Sequence, residues 1–366
     1  MKNRLPAVMV GLAIQGFACA AHAQSSVTLF GVIDTAIDIS KQGNGLLVRE
    51  LSGGTMGSRW GLQGNEDLGG GWATIFTVED GFGINNGAIQ QGGVFFGRQA
   101  WVGLRGTPGT FTAGRQYSPE FWAFASNDAF NGGLAGGLPN IWRVLPNGSQ
   151  IDVLNAYAVT ARTNNSVVYT SPVIYGVTLR AMYAFGGVAG SMRDGSTMSF
   201  SANYSGGALA LNAGYLKSVN TAGSGEWIAW SAGGNYTFGP ARVFVAYTRD
   251  TDTTGDIATT TPGSKVQFSL ANIGLQYQIS PYLQAIAQVT RLIDTSDGLA
   301  ASQNAYVEAV GLNYSLSKRT SFYASYGQVQ NKHGSTYSLG GAVYTGGIAA
   351  PDATGRSIQI GMRTLF

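Results

Sequence analysis

The sequence predicts an all-β fold: sixteen antiparallel strands closed into an up-and-down barrel that crosses a membrane. Three observations carry this. Charged residues make up 11% of the chain, against roughly 25% in ordinary soluble domains, yet hydrophobic residues are only 44%. No run of about 18 apolar residues follows the N-terminal segment, which excludes helical spans. Period-2 alternation recurs to the last residue, and the connections alternate between short and long.

The first element reads as an export signal. Lys2 and Arg4 give a positive start, Ala7 to Ala20 is mostly apolar, and Ala21-His22-Ala23 ends in a small-residue cleavage site. Residues 1–23 are expected to be removed, leaving 24–366 as one barrel domain. Losing Lys2 and Arg4 takes the 22 basic residues to 20 against 19 acidic ones, so net charge says almost nothing about partners. The single cysteine, Cys19, lies in the signal, so neither disulfides nor cysteine metal sites are expected.

Strands are expected near 27–40, 46–64, 72–82, 94–105, 109–117, 165–171, 176–185 and 196–206. The other eight fall near 207–218, 226–238, 240–249, 266–279, 282–293, 303–316, 319–330 and 356–366. Short connections carry turn chemistry: Glu66-Asp67-Leu68-Gly69-Gly70, Gly106-Thr107-Pro108, Ser171-Pro172, Ser205-Gly206-Gly207, Gly239-Pro240, Ser280-Pro281 and Ser317-Lys318. The intervening ones are longer, with 118–164 and 331–355 the extremes. Tight turns at one end and long loops at the other describe a transmembrane barrel; the repeat of a propeller is missing.

Alternation assigns the two solvents. Trp72, Thr74, Phe76 and Val78 share a face opposite Ala73, Ile75, Thr77 and Glu79. Leu179, Ala181 and Tyr183 oppose Thr178, Arg180 and Met182; Met198, Phe200 and Tyr204 oppose Thr197, Ser199 and Asn203. Ile228, Trp230 and Tyr236 oppose Ser231, Asn235 and Thr237; Ile358, Ile360 and Met362 oppose Gln359, Gly361 and Arg363. A soluble core would make the second face apolar, but here it is polar and small. Arg180 or Arg363 facing lipid would cost about 2–4 kcal/mol at the midplane, so the polar face lines a lumen. Trp60, Tyr183, Phe185, Tyr204, Tyr215, Tyr236, Phe238, Tyr314 and Phe366 fall near strand ends on the outward parity, where aromatic rings suit the headgroup level.

The chain resembles the general porins of Gram-negative bacteria, of the trimeric type common in β-proteobacteria and Neisseria. The residues that carry the resemblance are Ser26-Val27-Thr28-Leu29-Phe30-Gly31-Val32-Ile33-Asp34 and Ser58-Arg59-Trp60-Gly61-Leu62-Gln63-Gly64, with Glu66-Asp67-Leu68-Gly69-Gly70-Gly71. Phe96-Gly97-Arg98-Gln99-Ala100-Trp101, Ala113-Gly114-Arg115-Gln116-Tyr117, Asn165-Ser166-Val167 and the terminal Phe366 continue it. The resemblance implies an outer-membrane homotrimer, in contact with membrane lipid and lipopolysaccharide, whose third loop folds inward to narrow a pore for small hydrophilic solutes and ions. Loop 118–164 agrees independently: Phe121, Trp122, Phe124, Phe130 and Trp142 are an apolar load that would pack against the barrel interior rather than hang in water.

The resemblance also implies a basic wall facing an acidic loop. Arg59 and Arg98 match the basic-wall positions and point inward by parity. Arg115 matches too, but shares parity with Phe111 and Ala113. Arg162 and Arg143 are weaker additions, and Arg180 is inward from parity alone. The acidic candidates are Glu120, Asp128 and Asp152 in the loop, and Asp34 and Glu79 from strand parity. Opposed charges across a narrow wet gap set up a transverse field, and a small basic excess favours anions weakly. A substrate-specific channel, or a barrel serving mainly as an adhesin or structural anchor, is the alternative. Catalysis finds no support: His333 stands in a loop without a discernible triad partner. Asp250, Asp252 and Asp256 read as flexible surface acid. No cofactor, metal or nucleic-acid partner is expected.

Overall fold

In hydrocarbon no water is at hand for backbone N–H and C=O groups, so every strand must pair on both sides and the sheet must close. The computed structural model describes residues 26–43, 45–144, 150–152, 161–255, 263–297, 303–341, 347 and 350–366. The expected export segment 1–23 lies outside them. The first strands are β1 (Ser26–Lys41), β2 (Leu46–Ser52), β3 (Arg59–Gly69), β4 (Trp72–Gly81), β5 (Gln99–Gly106) and β6 (Gly109–Tyr117). Helix α1 (Pro119–Ala125) follows, then β7 (Ile141–Val144), β8 (Gln150–Asp152), β9 (Arg162–Thr170), β10 (Val177–Ala184), β11 (Thr197–Gly206) and β12 (Leu209–Val219). The rest are β13 (Glu226–Phe238), β14 (Ala241–Asp252), β15 (Val266–Ser280), β16 (Leu283–Asp294), β17 (Gln303–Ser315), β18 (Thr320–Lys332), β19 (Tyr337–Leu339) and β20 (Thr354–Leu365).

All but β7, β8 and β19 belong to one antiparallel sheet, and β1 closes it by pairing with β20 over Val32↔Leu365 to Lys41↔Arg356. Phe366 completes the seam through two backbone hydrogen bonds of 3.1 Å with Gly31. The sheet counts seventeen segments, and β2 and β3 are halves of one interrupted strand, both paired to β1, which leaves sixteen staves. The expected strand 46–64 is therefore broken. Its interruption begins at Gly53, whose φ of +87° suits a residue without a Cβ. The Asp34 carboxylate holds the bend, accepting from the amides of Gly54 (2.9 Å), Thr55 (3.1 Å) and Met56 (2.9 Å) and from the hydroxyls of Thr55 and Tyr323. Likewise the strand expected from 94 starts only at Gln99, because the preceding residues fold over the aromatic ring of Trp60.

Outside, the surface is apolar: Val245, Ile273, Val289, Val310 and Ile360 are all more than half exposed. Tyr236, Phe238, Tyr314 and Phe366 of the expected aromatic set are exposed there as well. Inside, polarity is uneven. Phe268, Leu270, Leu292, Val307 and Val329 point inward yet are buried, in one cluster with Phe124, Leu138 and Ile141 of loop 118–164 and Tyr337 and Leu339 of loop 331–355. Both long loops thus fold into the barrel, and β19 pairs with β7 over Tyr337↔Arg143 to Leu339↔Ile141. Arg143 and Asp294 form an ion pair of 3.0 Å beneath this small sheet, and burial together with Asp294 pushes the Tyr337 hydroxyl well above its ordinary pKa.

Candidate functional site

Loop 118–164 starts with a good helix signal. Ser118 caps α1, its hydroxyl accepting from the Phe121 amide at 3.2 Å, and Pro119 opens the first turn. The helix lies close against the barrel wall because Gly214 has no side chain: a Cβ there would stand 2.9 Å from Cα of Glu120. Past the helix, inward amides of the wall seize the loop backbone. Gln288 Nε2 donates to Gly136 O (2.9 Å), Gln276 Nε2 to Ala129 O (2.6 Å) and Asn272 Nδ2 to Asn127 O (3.3 Å). Asp128 ties the loop to itself, accepting from the amides of Phe130, Gly132 and Leu138 at 2.9–3.0 Å.

The loop held in this way faces a basic wall across a cavity of about 400 Å³. On the loop side stand Phe121, Trp122 and Asn131; on the wall side stand Arg59, Arg98, Arg162 and Tyr117. Two of the three arginines share one carboxylate. Arg98 Nε reaches Glu79 Oε1 at 2.5 Å and Arg59 Nε reaches the same oxygen at 3.1 Å. Gln99 Nε2 donates to the second oxygen at 2.6 Å. Tyr117 bridges the remainder: its hydroxyl accepts from Arg98 Nη2 (2.8 Å) and Arg162 Nη2 (2.7 Å), and the Arg162 guanidinium stands 4.6 Å over its ring. Glu79 itself is buried behind the arginines.

A family model for the Gram-negative porins matches residues 7–334. The chain is a Gram-negative porin. It is 29% identical over 361 residues to an outer membrane porin protein of Bordetella pertussis, covering 85% of this chain and 90% of that one. It is also 29% identical to outer membrane porin protein 32 of Delftia acidovorans, over 98% and 99% of the two chains. Among solved structures, an anion-selective porin from Comamonas acidovorans superposes with a TM-score of 0.77 at 24% identity, over 94% of this chain and all of that one. The trimer form of OmpT from Vibrio cholerae superposes with a TM-score of 0.66 at 15% identity, over 93% and 99%. The porin is thus an outer-membrane barrel through which small hydrophilic solutes diffuse passively, a channel and not an enzyme.

The structure sorts the porin's sequence-predicted site residues by place. Arg59, Arg98 and Arg162 meet at the cavity, with Glu79 behind them. Arg115 is not among the described residues lining it; a register shift between Gly114 and Gln116 lets it donate instead to Gly97 O (2.7 Å) and Asn164 Oδ1 (2.6 Å). Arg180 lies in a second cavity nearer the short turns. Asp34 and Asp128 are 0% exposed and hold the two bends described above. Glu120 packs against the wall at Gly214, where burial raises its pKa to about 7. The side chain of Asp152 lies outside the described residues, as does Asp256. Among the described residues no group of acidic, histidine or cysteine side chains could hold a metal ion. Tyr117 was missed by the sequence reading, which followed strict alternation through a strand that slips its register.

Proposed function

We propose that the porin favours anions weakly, with Arg59, Arg98 and Arg162 as the wall that sets the preference and Phe121, Trp122 and Asn131 as the opposing face. One observation carries this: the described lining of the constriction contains three arginines and no acidic side chain. The carboxylate ion-paired to these arginines among the described residues, Glu79, is already held by two of the guanidinium groups, and three arginines on the lining leave a surplus of positive charge where the passage is narrow. The Comamonas porin of the same fold is anion-selective, in line with this reading, which rests on this chain's own arginines. The assembly is a homotrimer in contact with lipid and lipopolysaccharide, supported by the outer apolar surface and by the trimeric form of a porin of the same fold. Reversal potentials across a tenfold KCl gradient in planar bilayers test the selectivity. The expected sign is that of chloride preference; a clear potassium preference overturns it.

A further inference from the structure

The back of the constriction helix carries a titratable group that ion selectivity does not use. Helix α1 turns Phe121 and Trp122 toward the passage and packs its other side against β11, β12 and β13. Glu120 belongs to the packed side. It is 5% exposed, its amide donates to Ser199 Oγ at 3.0 Å, and its Cα stands 2.9 Å from where a Cβ on Gly214 would be. Ala123, fully buried, lies over the same glycine. Past the helix, Asn212 Nδ2 donates to Asn127 Oδ1 at 3.0 Å, and Asn235 Nδ2 reaches Ser126 O at 3.5 Å. The helix is thus tied at its two ends and seated between them by close packing.

Among the described residues no cation pairs with the Glu120 carboxyl. Lys217 and Glu226, on the strands beneath it, meet each other at 2.8 Å on the outer side, where Tyr204, Tyr215 and Tyr236 also face. On the flanking strands, Arg180 of β10 gives Nη1 to Asn203 Oδ1 at 2.8 Å, and Asp250 of β14 accepts from Trp227 Nε1. Within the loop, Asp128 is closed into its own turn, and Tyr117 ahead of the helix is held by Arg98 and Arg162. What Glu120 meets is the hydroxyl of Ser231. Ser231 faces Thr248 across β13 and β14, and apart from Glu120 neither buried hydroxyl finds a partner among the described residues. A neutral acid both donates to and accepts from such a hydroxyl, whereas a carboxylate only accepts and keeps an unpaired charge in a buried seat. Burial accordingly holds the Glu120 pKa up at about 7.

We infer that Glu120 is a pH-sensitive seat for the constriction helix: loss of its proton to solvent lifts α1 from the wall at Gly214 and moves Phe121 and Trp122 into the passage. A carboxylate left against β12 and β13 has no cation to turn to there, so it gains solvation only toward the lumen. The arginines of the constriction stand across that gap and receive the displaced helix. The channel is therefore widest in mild acid and narrows as the medium turns alkaline. The device depends on the loop setting the narrowest level, and not on which ion that level prefers.

The test is single-channel conductance in planar bilayers at fixed KCl between pH 5.5 and 8.5. The unmodified channel is expected to pass from a full to a reduced level with a midpoint near pH 7. Above the midpoint the ratio of full to reduced level should fall about tenfold per pH unit, the slope of one proton. Glu120→Gln, which keeps the shape and the donor of the neutral acid, is expected to hold the full level throughout. Gly214→Ala, whose Cβ pushes the helix off its seat, is expected to show the reduced level even at pH 5.5. A conductance that is flat or rises with pH in the unmodified channel overturns the seat, as does an unchanged pH response in Glu120→Gln. Full conductance of Gly214→Ala at pH 5.5 overturns the displacement at Gly214. The KCl reversal potential of the unmodified channel at pH 5.5 is read separately, so a failure of the anion preference is distinguishable from a failure of the seat. Heat-modified mobility on gels checks that each variant has folded.

Discussion

Replacing Arg162 with glutamine removes one positive charge from the constriction without stranding a carboxylate. Its described partner is Tyr117, through a 2.7 Å hydrogen bond and a cation–π contact of 4.6 Å; the Glu79 carboxylate keeps both Arg59 and Arg98. For an ion passing at roughly 7 Å through water, a unit charge contributes about 0.6 kcal/mol. Screening over a Debye length of about 10 Å at 0.1 M salt halves that to about 0.3 kcal/mol. The contribution has opposite signs for chloride and potassium, so their ratio changes by about 0.6 kcal/mol, or roughly threefold. The assay is the reversal potential of Arg162→Gln in a tenfold KCl gradient at 0.1 M mean salt, repeated at 1 M, where the difference should nearly vanish. A chloride-to-potassium ratio that is unchanged at low salt, or that rises, refutes the reasoning that this side chain acts through its charge at the narrowest level.

Two further predictions concern the parts that hold the site. Asp34→Asn replaces a carboxylate that accepts from three backbone amides with a group that presents donors to donors. It should cost about 3 kcal/mol and lower the temperature at which the folded barrel converts to the unfolded band on gels; an unchanged temperature would contradict the role of Asp34 in the bend. Glu120, with a pKa of about 7 in the folded state against 4.5 for the free group, binds a proton there that the unfolded chain releases. Its stabilising effect is complete below about pH 4.5 and is lost as the pH rises through about 7, a swing of about 3 kcal/mol at most. Detergent-solubilised protein should therefore unfold at lower temperature as the pH climbs through that window, and Glu120→Gln should flatten the slope.

The sheet was readable from the sequence because its two faces meet two solvents, and a period of two needs no knowledge of distant residues. The parity of Arg59, Arg98 and Glu79 placed all three on the inner face for that reason. What strict alternation hid were its local failures: the bend at Gly53, created by a carboxylate nineteen positions earlier on another strand, and the register shift at Gly114 that turns Tyr117 toward the arginines. Polarity also does not name the partner. Gln276 and Gln288 are polar residues of the wall, and their donors meet the backbone of the constriction loop rather than a solute. Glu120 and Asp128 looked like an acidic wall for the complementary reason: only the fold of the loop reveals that one lies against Gly214 and the other inside a turn.

Surface loops of barrels ordinarily absorb insertions and substitutions freely, which lets exposed segments drift. The pairing of β19 with β7 removes that freedom from residues 337–339. One residue added there would reverse which side chains face the interior and drag on Ile141 and Trp142, the latter part of the lining of the passage. Sequence change at this segment is therefore yoked to permeability, and diversity among related chains should collect in the segments flanking it.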